Sequence, residues 1–205
     1  MNKVNYQKEL DQLIEKLEQT KEVPRLFLHS CCAPCSSYVL EYLSRYFEIT
    51  VFYFNPNIAP EEEYRKRVEE QRRLIEQLPA VHPIQFEEGR YVPEEFYSRV
   101  RGLEKEPEGG ARCRVCFEMR LEEAARLAAQ GSYDYYTTTL SISPLKNAQV
   151  LAQVALEMGG KWGVRWLPSD FKKKEGYKRS IQLSAEYDLY RQNYCGCIFS
   201  KTKEE

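Results

Sequence analysis

The sequence predicts an α/β fold in which helices cover both faces of a parallel β-sheet. Short apolar segments alternate with longer segments whose apolar residues recur at helical spacing. The short segments are nearly continuous in apolar residues, as in "RLFLHS" (25–30) and "ITVFYF" (49–54), which is typical of strands buried on both faces. Both kinds of segment follow each other along 205 residues, which indicates a repeated strand–helix unit in one domain.

The first half of the chain is expected to form an N-terminal helix and three strand–helix units. Residues 5–20 have apolar side chains at helical spacing. We therefore assign residues 1–22 to a helix outside the repeat and residues 23–205 to a single α/β domain. Strands are predicted at 25–30, 49–54 and 83–88, each followed by a helix, at about 35–46, 60–78 and 93–101.

The second half of the chain is expected to continue this pattern after a loop rich in helix breakers. Ser143 suits the N-cap of one of its helices, Pro144 the first turn and Gly159 the end. The predicted elements are the loop at 104–110, a helix at 112–129, a strand at 133–140, a helix at 143–160, a strand at 164–168, a basic loop at 170–179, a helix from about 176 to 190 and a tail at 191–201.

Composition and charge narrow the class of protein. The formal net charge of −1 gives no overall signal for nucleic-acid binding, so local basic clusters would have to supply it. The apolar run near "ITVFYF" is too short to cross a bilayer, and no segment resembles a signal peptide. We expect a cytoplasmic protein that does not bind a membrane.

Cysteine is the most informative residue type. The chain has seven cysteines, an odd number that cannot pair completely, and a reducing cytosol would oppose structural disulfides. Cysteines that only fill the core would be scattered, whereas these occur in three groups. The groups are Cys31, Cys32 and Cys35, then Cys113 and Cys116, and finally Cys195 and Cys197.

The first two groups are expected to meet at one edge of the sheet. The first follows the first strand, and parallel sheets bind ligands at the carboxyl ends of their strands. Cys113 and Cys116 share one face at the start of a helix, where the helix dipole favours thiolates. The helix from 176 to 190 would be about 22 Å long at the standard rise, so Cys195 and Cys197 can join only if that helix is short or the tail folds back.

Three chemistries compete for these thiols. The spacing does not match a zinc finger or ribbon, and a thioredoxin-like exchange site leaves most of the thiols unexplained. An iron–sulfur cluster uses four thiolates, here Cys113, Cys116 and two of the first group. Cys195 and Cys197 could form a strained, redox-active disulfide or bind a second metal with the remaining cysteine.

Four motifs in the same order carry a family resemblance over nearly the whole chain after the first two dozen residues. They closely resemble the QueH family, the epoxyqueuosine reductases of tRNA modification. The motifs are "LHSCCAPC", "ARCRVCFEMRLEEAA", "YYTTTLSISPLKN" and "DFKKKEGYKRSIQLSAEYDLYRQNYCGC".

The resemblance implies a fold of the adenine-nucleotide α-hydrolase-like (HUP) type and a metal centre in the domain of residues 23–205. It implies reduction of epoxyqueuosine to queuosine at the tRNA wobble position, the last step of queuosine formation. It also implies iron–sulfur chemistry without cobalamin, and an external electron donor. The implied [4Fe–4S] ligands are Cys31, Cys32, Cys113 and Cys116. Cys195 and Cys197 match the redox-active pair of the family, and Cys35 stays open between a ligand of a second metal and a supporting residue.

Removal of the epoxide oxygen as water takes two electrons and two protons, whereas one cluster normally passes one electron at a time. The Cys195–Cys197 pair could supply electrons. Alternatively, a mononuclear iron bound by Cys35, Cys195 or Cys197 could polarise the epoxide as a Lewis acid.

Other polar residues are candidates for substrate contact. Asp170 is either a turn residue or a proton donor, and His29 is a core histidine more readily than a ligand. The basic segment after Asp170 is the expected tRNA surface. Its candidate residues are Lys172, Lys173, Lys174, Tyr177 and Arg191.

Two further functions remain as alternatives. One is a cluster-bearing, ATP-dependent tRNA sulfur-transfer enzyme of the same fold. Its pyrophosphate loop would need a Ser-Gly-Gly-x-Asp-Ser motif where this chain has Ser30-Cys31-Cys32-Ala33-Pro34-Cys35, so we expect no use of ATP. The other is a zinc-thiolate or iron–sulfur module that binds tRNA without catalysis.

Overall fold

The computed structural model describes residues 4–201, and the outermost residues of both assigned segments lie outside this range. Five parallel strands form one sheet in the order β3-β2-β1-β4-β5. The strands are β1 (Arg25–His29), β2 (Glu48–Tyr53), β3 (Ile84–Glu88), β4 (Tyr135–Thr138) and β5 (Arg165–Trp166). The helices are α1 (Tyr6–Thr20), α2 (Ala33–Leu43), α3 (Glu61–Gln77), α4 (Pro93–Arg99), α5 (Ala111–Gln130), α6 (Ala148–Trp162) and α7 (Gly176–Glu186), with 3₁₀ turns at Thr139–Ile142 and Ile198–Ser200.

The expected parallel α/β architecture is confirmed, and its strand order creates a switch point. After β3 the chain returns to the other side of β1, so β1 and β4 are neighbours that connect in opposite directions. Their register pairs His29 with Thr138 at the carboxyl ends. The loops that leave these two strands therefore diverge and leave space between them.

Apolar side chains of alternating strand positions fill two core layers. Leu26 and Leu28 of β1 face a layer shared with α1, α2 and α3, whereas Phe27 faces a layer shared with α4, α5 and α6. The N-terminal helix contributes Leu10 and Ile14 to the first layer. Its apolar stripe is therefore buried against the same sheet as the rest of the chain.

Both predicted ends of the helix at 143–160 are wrong. The segment after β4 forms a 3₁₀ turn instead of further strand, and Ser143 ends that turn. Helix α6 begins only at Ala148, because the side chain of Asn147 accepts hydrogen bonds from the backbone N–H groups of Gln149 and Val150. An asparagine at this position satisfies two N–H groups that the helix itself leaves free. At the other end, Gly163 rather than Gly159 adopts the left-handed conformation that ends the helix.

The C-terminal segment folds back over the sheet edge. This is the path that Cys195 and Cys197 need in order to reach the other cysteines. Helix α7 ends at Glu186 instead of about 190. The chain then crosses α3, where the hydroxyl of Tyr190 donates to Glu63 and the N–H of Tyr190 donates to Glu70. These bonds return the tail to the carboxyl side of the strands. Among the helices of residues 4–201, none is long and apolar enough to span a membrane.

Candidate thiol and metal site

A cavity of about 370 Å³ opens at the carboxyl ends of β1 and β4. All seven cysteines line it, although they come from three distant parts of the chain. The first group leaves β1, the second begins α5, and the third lies in the returned tail. The expected meeting of the first two groups is thus observed, and the third joins them.

The three thiols of the first group form the tightest cluster of potential metal ligands. The Sγ atoms of Cys31, Cys32 and Cys35 all lie within 4.8 Å of one another. Cys32 is the extended N-cap residue of α2, so the chain turns sharply there and Cys35 faces back toward Cys31. Three soft thiol ligands at this separation could hold one metal ion.

Hydroxyl groups of neighbouring elements hold this cysteine loop in place. The backbone N–H of Cys31 donates to Oγ1 of Thr139 at 3.2 Å, and that hydroxyl also lies 3.4 Å from the Cys31 sulfur. Ser36 donates to the carbonyl of Cys32. The threonine that directly follows β4 therefore positions the first cysteine group.

The three thiols share charge unequally. Hydrogen bonds from Cys32 and Cys35 hold the pKa of Cys31 well below its usual range. The same contact with Cys31 raises the pKa of Cys32 to about 12, and it raises the pKa of Cys35. One thiolate supported by two thiol donors is the favoured state of the metal-free group. A metal cation that binds these sulfurs would displace the remaining thiol protons.

The second group lies across the cavity at the start of α5. Its helix face continues into buried Phe117 and Leu121. The N–H of Gly109 donates to Sγ of Cys113 at 3.2 Å, and burial raises the pKa of the Cys116 thiol. The two sulfurs face the same space as the first group, but the compact triad contains Cys35 and neither of them.

The tail cysteines are fixed by contacts on both sides of Gly196. The carbonyl of Gly196 accepts from the N–H of Ala59 at 3.0 Å, and the carbonyl of Cys195 accepts from Arg67. A hydrogen bond from the Cys197 thiol lowers the pKa of Cys195 to about 5, and it raises the pKa of Cys197. Cys195 is therefore the more readily ionised thiol of this pair.

Buried cations that sequence reasoning missed also line the cavity. Arg67, Arg112, Arg120 and Lys146 are each less than 8% exposed. Their positions along the helices could have indicated this. Arg67 shares the buried face of α3 with Tyr64 and Val68, and Arg120 follows Cys116 by one turn of α5. A charged residue on an apolar helix face indicates a polar site on that side of the helix.

The predicted substrate residues divide into two sets. Tyr177 and Arg191 line the cavity. Asp170 and the three lysines are absent from its described lining, and the carboxylate of Asp170 pairs with Lys172 at 2.7 Å. Lys172 also donates to the carbonyl of Ser141, and this connects two loops. Lys173 and Lys174 are exposed, and Lys174 forms an ion pair with Asp11.

His29 lies below the cysteine loop as a satisfied core residue. Its two ring nitrogens lie 2.9 Å from the Thr138 hydroxyl and 3.1 Å from the carbonyl of Phe54. Burial lowers the pKa of its imidazole to about 3, so the ring is neutral. Both nitrogens have partners, which fits the expectation of a hydrogen-bonded core histidine.

The donor set fits a thiolate-bound metal or an iron–sulfur centre. Seven sulfur donors meet in one space, and sulfur is the ligand that iron–sulfur clusters and other soft metal sites use. The buried cations supply positive charge that would offset the negative charge of thiolates. Hard cations prefer oxygen ligands, and the described residues of this cavity wall offer no group of oxygen ligands comparable to the seven sulfurs.

Comparisons with known proteins agree with this geometry. The model of the family "Epoxyqueuosine reductase QueH" matches residues 26–203. The chain is 44% identical to epoxyqueuosine reductase QueH of Streptococcus pyogenes serotype M1, with 97% of this chain and 78% of the relative covered. It is 42% identical to the enzyme of that name from Staphylococcus epidermidis, with 98% and 87% covered. The corresponding enzyme of Thermotoga maritima is 33% identical, with 85% and 89% covered. The chain belongs to the QueH family of epoxyqueuosine reductases.

Proposed function

We propose that this chain reduces epoxyqueuosine in tRNA to queuosine, the last step of queuosine formation. The observation that carries the proposal is the meeting of all seven thiols in one cavity at the switch point of the sheet. Membership of the QueH family supplies the reaction. Conversion of the epoxide to an alkene consumes two electrons and two protons and releases water. The chain therefore needs an external electron donor and a site that transfers protons to the leaving oxygen.

A [4Fe–4S] cluster held by Cys31, Cys32, Cys113 and Cys116 is the proposed metal centre. When bound, such a cluster supplies electrons one at a time. The closeness of Cys35 to Cys31 and Cys32 supports a role for Cys35 beside this centre. Two roles remain for it: ligand of a mononuclear iron next to the cluster, or thiol donor to a ligating sulfur.

Cys195 and Cys197 are the proposed redox or substrate-activating pair. Both residues line the cavity, which supports a role for them in contact with an epoxide that enters it. The low pKa of Cys195 supports a thiolate that could form a disulfide with Cys197 or bind a second metal. Formation of a disulfide from the two thiols would release two electrons and two protons. An iron held by Cys195 or Cys197 would instead supply Lewis acidity toward the epoxide.

The mouth of the cavity is the proposed site for the modified base. Tyr177 is 38% exposed and lines the cavity, so its ring can stack on a base that is turned out of the anticodon loop. Arg191 lies on the same wall, and the exposed Lys173 extends the positive surface outside it. Lys172 and Lys174 support the same surface through their charge, although both already pair with carboxylates. Asp170 would act as a proton donor only after separation from Lys172.

Metal content and turnover test this function together. The chain is purified without oxygen, iron and acid-labile sulfide are counted, and the absorption spectrum is recorded. Turnover is then measured on tRNA that carries epoxyqueuosine, with a chemical reductant as the electron source. About four iron and four sulfide per chain with formation of queuosine are expected; zinc without sulfide, or no product with a loaded protein, would refute the proposal.

Paired serine variants separate the roles of the thiols. Cys113→Ser is expected to lose the cluster absorbance together with activity. Cys195→Ser and Cys197→Ser should keep the cluster absorbance, because they leave the proposed cluster ligands intact. Both variants should lose turnover, because each removes one thiol of the proposed redox or substrate-activating pair. Full turnover by both tail variants would contradict the role proposed for that pair.

A further inference from the structure

Arg120 is a buried cation next to the second cysteine group. Its side chain is on α5, one turn after Cys116, and it lines the cavity while the residue is only 4% exposed. Its Nε donates to the carbonyl of Cys116 at 3.2 Å, and its Nη1 donates to Oδ1 of Asn55 at 3.3 Å. The guanidinium is thus held in one orientation at the inner wall of the site.

Arg120 has no carboxylate partner among residues 4–201, unlike two other cations of the cavity. Arg67 pairs with Glu63 at 2.7 Å, and Lys146 pairs with Glu108 at 2.7 Å. A buried charge without a counterion is strongly unfavourable, because burial removes its hydration. The acceptors of Arg120 are neutral oxygens, so the compensating negative charge has to come from elsewhere.

The ionisable groups that face Arg120 are four thiols and the neutral imidazole of His29, whose pKa the charge of Arg120 lowers. Cys116, Cys31, Cys195 and Cys113, which include members of all three groups, each raise the pKa of its guanidinium against the effect of burial. Arg112, the remaining buried cation, differs because its guanidinium donates to three backbone carbonyls of the loop before α5. Lys146 and Arg67 also lie near thiols, but each is already paired with a glutamate. Arg120 is therefore the buried cation of this cavity for which the thiols are the available source of negative charge.

The contacts of Arg120 also join two cysteine groups. Asn55, which accepts from Arg120, donates to the carbonyl of Ser30 at 2.8 Å. Ser30 directly precedes Cys31, whereas Arg120 also bonds the carbonyl of Cys116. One guanidinium is therefore connected to both walls from which the proposed metal ligands extend.

We propose that Arg120 is the built-in counterion of the thiolate-bound metal centre, and that its charge raises the reduction potential of that centre. This inference rests on the proposed function only in requiring a metal bound by these thiolates. Thiolate ligands give the site negative charge, and one-electron reduction adds one more. A fixed cation in the wall of the same cavity stabilises the more negative, reduced state and shifts the potential upward. Arg120 is thus a positioning and tuning residue rather than a group that touches the substrate.

Neutral and charged replacements separate its charge from its packing. Arg120→Gln keeps a hydrogen-bond donor but removes the charge, Arg120→Met keeps the apolar stem, and Arg120→Lys keeps the charge. The midpoint potential of the loaded protein is measured by redox titration followed by absorption and electron paramagnetic resonance. Both neutral variants should favour the oxidised state by about tenfold, or about 59 mV for one electron, whereas the lysine variant should stay near the native potential. Arg126→Met, which removes an arginine that pairs with Glu123 at the surface of α5, should change nothing.

Thermal stability gives a readout that does not require turnover. The increase in melting temperature on loading the apoprotein with its metal centre is compared among the same variants. Arg120→Gln should lose much of this increase because the bound thiolates lack their counterion, and Arg120→Lys should keep it. A purely structural role would lower the apo and loaded melting temperatures equally in all three variants.

The outcomes distinguish this inference from the proposed function. Equal potentials and equal gains on loading for native protein and Arg120→Gln would overturn the role of Arg120 while turnover on tRNA stands. A loaded protein that shows the shift but forms no queuosine would overturn the function and keep the counterion. If the thiols take zinc without sulfide, the gain in melting temperature with zinc alone gives the same test.

Discussion

Replacement of Gly196 by alanine should release the cysteine tail from the cavity while the rest of the fold persists. Gly196 has a φ of +100°, a backbone conformation that residues with a Cβ rarely adopt. A Cβ at this position would lie 2.6 Å from Cγ1 of Ile58 and 3.1 Å from Nη1 of Arg67. Both contacts are with buried side chains, which have little freedom to move.

The energies favour release of the tail over accommodation of the methyl group. A positive φ costs a non-glycine residue about 1–3 kcal/mol, and overpacking of a buried site costs about 1–3 kcal/mol more. Against this, the bond from the N–H of Ala59 to the carbonyl of Gly196 contributes about 1 kcal/mol. Two neighbouring bonds, from Arg67 to the carbonyl of Cys195 and from Tyr194 to the carbonyl of Ala59, add about 1 kcal/mol each. The strain of the substitution is as large as these three bonds together, so the variant should relieve it by local opening of the tail.

Hydrogen exchange of the tail and turnover on tRNA are the two assays. Amides of residues 193–200 should exchange faster in Gly196→Ala, and turnover should fall at least about tenfold, since each 1.4 kcal/mol changes an equilibrium by that factor. Gly102→Ala is the matched control, because Gly102 has a φ of +85° but no atom within 4 Å of its added Cβ. The control should lose a little stability and no turnover. Native exchange of the tail with full turnover in Gly196→Ala would refute this reasoning.

Three further predictions concern the cysteine loop, the core histidine and the tRNA surface. Thr139→Val leaves the N–H of Cys31 without an acceptor, so the free energy of unfolding should fall by about 1–3 kcal/mol in urea titrations; an unchanged midpoint would contradict it. His29 has a folded pKa of about 3, below its ordinary value of 6.5. The unfolded chain therefore binds the proton first, and stability should decline as the pH falls below about 6.5, by up to about 1.4 kcal/mol per pH unit. His29→Gln should reduce this slope, and an equal slope between about pH 6.5 and 5 would exclude His29 as its source. Lys173→Ala should weaken tRNA binding and lower its salt slope by about 1; unchanged affinity at low salt would remove this lysine from the surface.

Local patterns in the sequence determined the class of fold and the chemistry of the site. The apolar runs at 25–30 and 49–54 became β1 and β2, because a strand buried on both faces needs apolar residues at successive positions. The spacing of Cys113 and Cys116 placed both on one helix face. Soft sulfur donors in three groups already indicated metal or redox chemistry, and the four ordered motifs indicated the family.

Boundaries that depend on one hydrogen bond were not determined by pattern. Ser143 and Pro144 form a plausible helix start, but the side chain of Asn147 reaches two free N–H groups and begins α6 there. The shorter α7 has a similar cause, since Glu63 and Glu70 on α3 bind Tyr190 outside a helix. Contacts between residues more than 100 positions apart decided this ending.

Only the tertiary structure decided which charged residues face the thiols. The sequence near Arg67 mixes basic and acidic residues, a composition typical of exposed helix faces, yet Arg67 is 2% exposed and borders the cavity. The basic segment after Asp170 reads as a free surface, yet Lys172 binds Asp170 and the carbonyl of Ser141. Burial and pairing are set by what lies across the cavity from each side chain. The sequence by itself therefore determined the thiols and their local geometry, and the packing of α3, α5 and the tail determined the charges around them.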